Sequence, residues 1–291
     1  MDLVRWERDP ELRRPLLVVA FEGWNDAGDA SSLALNHLAD AWEAQRFAAI
    51  DAEEFYDFTV TRPQVKLEPG GSRRIEWPDI ELLGAHVPGS RHDLVLVRGV
   101  EPQLRWRTFA SAIVEVTKKV GAEMAVILGA LLADVPHTRP VRVSGTSDDR
   151  DLAERLSLGT PSYEGPTGMV GVLHDALGRA GIPTASFWAA VPHYVHQLPS
   201  PKAALALVER SAALLGAPVD SLELRAAAQE YERQVSERIA DDEDAAAYVA
   251  QLEDAQDNEW EEPSAPDGLR LGSIDELAAE VENFLREHHR D

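Results

Sequence analysis

PLLVVAFEGWNDAGDASSLALNHL, residues 15–38, runs from an apolar segment through an acidic loop into a second periodic segment. The unbroken apolar run 16–21 predicts a parallel strand that is covered on both faces. The following segment predicts a helix, capped by Asp29 or Asp26, with one apolar face turned to the sheet. The apolar residues of that face are Ala30, Leu33, Ala34, Leu38 and Ala41.

The loop between this strand and helix lies at the carboxyl end of the strand, where open α/β sheets bind ligands. Its polar residues are Glu22, Asn25, Asp26 and Asp29. Two interpretations remain open: a turn with a helix cap, or a carboxylate cluster for a cation or for a basic or hydroxylated ligand. The spacing is not that of a metal site. The loop also lacks the glycine patterns of dinucleotide and P-loop phosphate sites, so we expect neither a metal nor a cofactor.

Strands and helices alternate along the next 180 residues or so, as expected for α/β proteins. Further strands are predicted at 48–56, 93–99, 122–132 and 182–191. Helices are predicted at 103–120, 152–158 and 201–215. We therefore expect an α/β fold in which a mostly parallel sheet is sandwiched by helices.

A second polar segment follows the predicted strand 122–132. The guanidinium groups of arginine, next to small hydroxyl side chains, can bind a phosphate or a carboxylate. The arginine and hydroxyl residues of this segment are Arg139, Arg142, Ser144 and Thr146. The neighbouring His137 is interpreted as a hydrogen-bonded loop residue.

A third polar segment, with Glu164 and Thr167, precedes another predicted helix. Thr167 is a candidate N-cap, and a helix start attracts anions. The glycines at 168 and 171 instead favour close packing of the helix on the sheet.

The predicted organisation has four parts. Residues 1–219 form the α/β domain, and an insertion near 55–78 carries a hairpin-like segment that is typical of oligomer contacts. Residues 220–258 predict a C-terminal helical appendage of two helices, because alanine, glutamate and arginine replace proline and glycine there. An acidic linker at 259–272 and a capped amphipathic helix at 273–289 complete the chain.

Charge and composition restrict the function. The net charge is −23, and the segment 220–291 holds 22 acidic residues and six arginines without a lysine. Such a charge disfavours nucleic acids and anionic membranes. It serves either solubility or the docking of a basic partner. The longest apolar run has ten residues, about half a membrane span. Because the chain has no cysteine and no recognisable signal peptide, we expect a cytoplasmic protein.

Six segments together resemble the prokaryotic branch of the proteasome assembly chaperone 2 family. They are FEGWNDAGDASS (21–32), IDAEEFYDFTVTRPQV (50–65), LVRGVEPQLRW (96–106), GALLADVPHTRPVRVSGTS (129–147), PSYEGPTGMVGVLHDAL (161–177) and PTASFWAAVPHYV (183–195). The resemblance covers roughly the first 215 residues. It implies a fold similar to the nucleoside phosphorylase and hydrolase-like folds, and no established reaction.

Two classes of function remain. No nucleophile with an adjacent base can be identified, since the chain lacks cysteine and a G-x-S-x-G motif. We therefore expect a non-catalytic interaction or assembly protein that forms a homo-oligomer and has a proteasome-related partner. The alternative is a nucleoside-phosphorylase-like or hydrolase-like enzyme that acts on a small anionic or phosphorylated metabolite.

Overall fold

The central strand of the protein is β2 (Leu16–Glu22), which lies inside an eight-stranded sheet. The computed structural model describes residues 3–161 and 163–261, with side chains up to residue 258. The other strands are β1 (Val4–Trp6), β3 (Gln45–Ile50), β4 (Gln64–Leu67), β5 (Arg73–Glu76), β6 (Ile80–Ala85), β7 (Leu94–Val100), β8 (Met124–Ala133), β9 (Val143–Thr146) and β10 (Thr184–Pro192). The helices are α1 (Ala30–Ala41), α2 (Trp106–Lys119), α3 (Arg150–Leu156), α4 (Met169–Arg179), α5 (Pro201–Leu215), α6 (Leu222–Ala240) and α7 (Glu243–Glu261).

The sheet has the strand order β1-β3-β6-β7-β2-β8-β10-β9. Its four central strands, β7, β2, β8 and β10, are parallel. Antiparallel pairs extend it on both sides, with β6, β3 and β1 beyond β7 and with β9 beyond β10. The predicted α/β architecture, a large and mostly parallel sheet flanked by helices, is confirmed.

Alternate residues of β2 enter two separate apolar cores, because successive side chains of a strand point to opposite faces of the sheet. Leu16, Val18 and Ala20 pack in the core that also contains the buried faces of α1 and α5. Leu17, Val19 and Phe21 pack in the core on the other face, with α2 and α4. The predicted two-sided burial of this strand is therefore correct.

Three local expectations differ from the structure. The strand predicted at 48–56 ends at Ile50, because the Asp51 side chain accepts a hydrogen bond from Glu53 N (3.0 Å) and starts a 3-10 turn. Strand β6 was not predicted. The segment 143–146, expected as part of a loop, is the edge strand β9, which pairs with β10 from Ser186 to Ala189.

The predicted insertion contains a hairpin that forms its own two-stranded sheet, β4 with β5. Residues directly opposite each other in an antiparallel pair share a face. Val65 therefore lies beside Ile75, and Leu67 lies beside Arg73, on one face of the hairpin. The apolar side chains of this face are largely exposed to solvent. At the base of the insertion, the rings of Phe58 and Trp77 are in contact, with centroids 5.0 Å apart.

The chain forms two further helices, α6 and α7, at residues 222–240 and 243–261. Helix α6 lies on α5 and buries Tyr231 and Val235. Helix α7 continues to Glu261, so the first three residues of the predicted linker 259–272 are helical. The rest of that linker and the predicted helix 273–289 lie outside the described residues.

Asp93 joins the segment before β2 to the sheet. Its buried carboxylate accepts hydrogen bonds from Arg13 N (2.8 Å), from the Arg13 guanidinium (2.8 and 3.2 Å) and from Val87 N (3.2 Å), and it lies 2.9 Å from His86 Nδ1. Burial alone would raise the pKa of Asp93, but the hydrogen bonds outweigh it and hold the pKa well below its usual range.

A carboxylate whose pKa falls on folding stabilises the protein above its unfolded pKa, and this contribution is lost as the pH falls. We therefore expect Asp93→Asn to lower the free energy of unfolding by about 2 kcal/mol at pH 7. The difference from the wild type should shrink below about pH 4. Urea unfolding across this pH range measures it. Asp9→Asn, at an exposed position, is the control and should have no such effect; equal curves for Asp93→Asn and wild type at pH 7 would contradict the assignment.

Candidate functional site

Asp26 caps helix α1, although the short 3-10 turn Ala27–Asp29 separates it from the first residue of that helix. Its Oδ1 accepts hydrogen bonds from Ser31 N (2.7 Å), Ser31 Oγ (2.6 Å) and Ser32 N (3.1 Å). Of the two predicted caps, Asp26 therefore performs this function. Asp29, in the left-handed region with φ 51°, makes no side-chain cap hydrogen bond. The interpretation of the loop as a turn with a helix cap accounts for Asp26.

Glu101, directly after β7, holds three segments together. Its Oε1 accepts hydrogen bonds from Asn25 Nδ2 (3.0 Å) and from Met169 N (2.6 Å) at the start of α4. Its own N–H donates to Glu22 O (2.8 Å). The loop 22–29, the end of β7 and the start of α4 therefore meet at one carboxylate. The sequence interpretation missed Glu101, although its place after the strand next to β2 was the signal that could have found it.

Two carboxylates of this region, Glu22 and Glu101, have a raised pKa, chiefly because of burial. Burial raises the pKa of Glu22, the negative charges of Asp26 and Asp29 raise it further, and Arg98 opposes the shift. Burial also raises the pKa of Glu101, against the hydrogen bonds from Met169 and Asn25. In both groups the charged form is disfavoured, because burial outweighs the compensation that the surroundings supply. This arrangement favours a cationic or hydrogen-bond-donating contact.

Three large side chains in the same segments are exposed to solvent. Trp24 is 55% exposed, Leu104 47% and Tyr163 50%. These residues belong to the three segments that meet at Glu101. We call this surface, formed by residues 22–29, 101–104 and 163–168, the acidic crevice.

The acidic crevice also contains two predicted residues of the third polar segment, Glu164 and Thr167, which are both exposed. Thr167 is not the N-cap of α4. Gly168 takes that position, and the first N–H of the helix donates to Glu101. The sequence interpretation of Thr167 as a cap was therefore wrong, because a carboxylate from a distant segment satisfies the helix start.

Arg139 faces the C-terminal helices. Its guanidinium donates to both oxygens of Asp257 (2.9 and 2.7 Å) and lies 3.4 Å from Glu253. The adjacent Thr138 donates to the same Glu253. Carboxylates of α7 thus occupy the position at which the sequence predicted an external anion. The hydrogen bonds that Arg139 donates to Asp257 are the main cause of a strong rise in the pKa of Arg139.

His137 is buried between the end of β8 and helix α6. Its Nδ1 lies 2.8 Å from Tyr194 Oη and its Nε2 lies 2.9 Å from Ser236 Oγ. Lys202 Nζ donates to His137 O (2.5 Å) and to Glu232 (2.5 Å). Burial, and secondarily the charge of Lys202, lowers the pKa of His137. The interpretation of His137 as a hydrogen-bonded loop residue agrees with these contacts.

The remaining predicted residues are Arg142, Ser144 and Thr146, in the segment that follows Arg139. Arg142 lines a cavity of about 10 Å³, together with His137 and Lys202, which is room for about one water molecule. Ser144 and Thr146 lie on β9, where Thr146 Oγ1 is 2.9 Å from Ser186 Oγ. Within the described residues, hydrogen bonds connect Glu22, Asn25 and Glu101 into one group, whereas the Asp26 side chain bonds to Ser31 and Ser32 at the start of α1. The hydrogen bonds and ion pairs of Arg139 and His137 connect to α5, α6 and α7.

Among residues 3–161 and 163–261, no group of three or more histidine, cysteine, aspartate or glutamate side chains has the arrangement of a metal site. In the same part of the chain, no helix is both long and apolar enough to cross a membrane.

Comparison with known proteins gives the family. Residues 20–239 match the model of the PAC2 family. The chain therefore belongs to the PAC2 family, and the resemblance to the proteasome assembly chaperone 2 family is confirmed. No curated protein matches the chain.

Three solved structures illustrate the relationship. A PAC2 family protein from Streptomyces avermitilis MA is 50% identical, with 81% of this chain and 99% of that chain covered and a TM-score of 0.76. A proteasome-assembly chaperone homologue from Mycobacterium tuberculosis is 47% identical, with 80% and 99% covered and a TM-score of 0.74. A Corynebacterium glutamicum protein of unknown function is 28% identical, with 89% and 98% covered and a TM-score of 0.80.

The junction at Glu101 depends on the absence of a side chain at Gly168. A Cβ atom there would lie 1.9 Å from Asn25 Nδ2 and 2.7 Å from Glu101 Oε1. We expect Gly168→Ala to displace the loop 22–29 from α4 and to lower the free energy of unfolding by roughly 2 kcal/mol.

The matched control is Gly178→Ala in the same helix, where a Cβ meets nothing within 4 Å. It should instead stabilise the protein by about 0.5–1 kcal/mol, since alanine is the better helix former. Thermal unfolding of both variants tests the pair. If they shift the midpoint alike, Gly168 has no special place in the junction.

Proposed function

We propose that the protein is a non-catalytic interaction protein with a chaperone-like role in assembly, and that its partners are proteasome-related. The observation that carries this proposal is the structural use of the candidate site residues. Asp26 caps α1, Glu101 joins two loops to α4, and Arg139 is paired with α7. Groups held in this way stabilise the fold, and a base or an anion-binding fork would have to give up those contacts before it could act. The likeness to a proteasome-assembly chaperone homologue supports the same reading.

The C-terminal helices α6 and α7 serve, in this proposal, as the appendage that contacts the partner. Most of the negative charge of the chain follows residue 220. Only part of it is used internally, and Asp241, Glu243 and Asp254 are exposed on or next to these helices. An acidic surface attracts a basic one and accelerates encounter with it. The partner surface is therefore basic.

Replacing these three exposed acids with their amides should weaken binding to purified proteasome subunits, because the steering charge is removed. We expect the association rate to fall several-fold at low ionic strength and the difference to shrink as salt is added. Surface plasmon resonance with separately produced α- and β-type proteasome subunits measures both quantities.

The control variant has the same change of net charge at three exposed positions outside α6 and α7, namely Asp9→Asn, Glu53→Gln and Glu115→Gln. It should bind nearly as the wild type does. Absence of binding by the wild-type chain to any of these subunits, together with no effect on their assembly into proteasomes, would refute the proteasome-related role.

A second candidate function is an enzyme with a nucleoside-phosphorylase-like or hydrolase-like site. The raised pKa of Glu22 and Glu101 at the carboxyl ends of β2 and β7 favours it, because perturbed carboxylates in a crevice are typical of general acids and bases. The predicted site for a small anion near Arg139, Arg142, Ser144 and Thr167 belongs to this alternative, as does the fold-level likeness to phosphorylases and hydrolases that the family resemblance implies.

A thermal-shift screen with phosphate, nucleosides and nucleotides separates the two functions. We expect no saturable rise of the unfolding midpoint, because the anion position at Arg139 already holds the carboxylates of α7. A saturable rise with one of these compounds that disappears in Arg142→Ala or in Glu101→Gln would favour the enzyme instead.

A further inference from the structure

The β4–β5 hairpin has the opposite charge to the rest of the chain. Residues 62–77 contain four basic and two acidic side chains, a net charge of +2, in a protein of net charge −23. On one face of the hairpin, Lys66 and Arg74 pair with Glu76 and Glu68. Arg73, on the other face, forms no ion pair within the described part of the chain.

That other face is also apolar. Val65 is 60% exposed, Leu67 75% and Ile75 54%, and the register places all three on the side of Arg73. An isolated two-stranded hairpin is marginally stable in water. A contiguous exposed apolar patch with a polar rim is typical of an interaction site. The hairpin therefore has the composition of a contact surface, with an apolar centre and a cationic group that forms no ion pair with the residues that the structure describes.

The acidic crevice has the complementary composition. Its exposed apolar side chains are Trp24, Leu104 and Tyr163. Glu22, Asp29 and Glu164 are exposed among them. The nearby Arg105 is already paired with Glu54, so it does not offset these acids. Two copies with a charge of −23 each repel one another at long range. A contact between copies must therefore bring together surfaces of locally opposite charge.

We propose that the β4–β5 hairpin of one copy docks on the acidic crevice of a second copy. Leu67 and its apolar neighbours pack against the exposed aromatic side chains of the crevice, and Arg73 pairs with a carboxylate such as that of Glu164. The contact joins two different surfaces, so each copy offers one donor surface and one acceptor surface. It goes beyond the proposed function, because it concerns two copies of this chain whatever the partner is.

The test is complementation between two variants of the full chain. The hairpin variant carries Leu67→Ser and Arg73→Glu, and the crevice variant carries Tyr163→Ser and Glu164→Lys; all four positions are exposed. Analytical ultracentrifugation at tens of micromolar should show an oligomer for the wild type and a monomer for each variant alone, with at least about tenfold weaker association. An equimolar mixture of the two variants should associate again, since it contains one intact hairpin and one intact crevice.

Leu222→Ser is the matched control, because Leu222 is as exposed as Leu67 (75% each) but lies at the start of α6. It should leave association unchanged. Circular dichroism confirms that each variant is folded. A monomeric wild type, a crevice variant that associates like the wild type, or a mixture that remains monomeric would each overturn the proposal. The second of these outcomes would indicate a contact between two hairpins.

Discussion

The burial of β2 on both faces is the constraint on which the rest of the structure depends. Parallel neighbours pair with it on both edges, and its alternate side chains enter two cores, so helices must cover both sides. No polar side chain is tolerated before Glu22, which comes at the carboxyl end of the strand. Polar groups therefore collect beyond that end, where other loops and the ends of neighbouring strands supply their hydrogen-bond partners.

Glu101 supplies hydrogen-bond partners to three segments. A helix start presents unpaired N–H groups, and a loop that passes close to it needs partners for its own amide groups. The Glu101 carboxylate accepts hydrogen bonds from the first N–H of α4 and from the Asn25 side chain. The backbone N–H of Glu101 also donates to the carbonyl of Glu22 at the end of β2. This arrangement leaves carboxylates in a partly buried place, and burial raises the pKa of Glu22 and of Glu101, with a further contribution from Asp26 and Asp29 at Glu22. An acidic surface is thus a by-product of the way this end of the sheet is closed.

The sequence predicts those features whose cause is local. The central parallel strands and helix α5 are found because continuous apolar runs and helical periodicity are visible within one segment. The edge strand β9 and strand β6 are missed, since pairing with a neighbour, rather than their own composition, makes them strands. The partners of the predicted site residues are hidden from the sequence for a similar reason. The partner of Asn25 is 76 residues away, and the partner of Arg139 is 118 residues away. Only the fold reveals that these polar residues satisfy one another.

The charge of the C-terminal helices also attaches these helices to the domain. Glu253 and Asp257 neutralise Arg139, and Glu232 neutralises Lys202, so part of the negative charge fastens α6 and α7 to the domain. These contacts are polar and partly exposed, and such pairs contribute about 0–1 kcal/mol each. The buried Tyr231 and Val235 supply the apolar part of the attachment for α6. Helix α7 is attached by the polar pairs and also by apolar contacts, since Val249 is buried and the ring of Tyr248 contacts His193 and Tyr194. A basic partner that competes for the carboxylates of α7 would therefore remove only the polar part of its attachment.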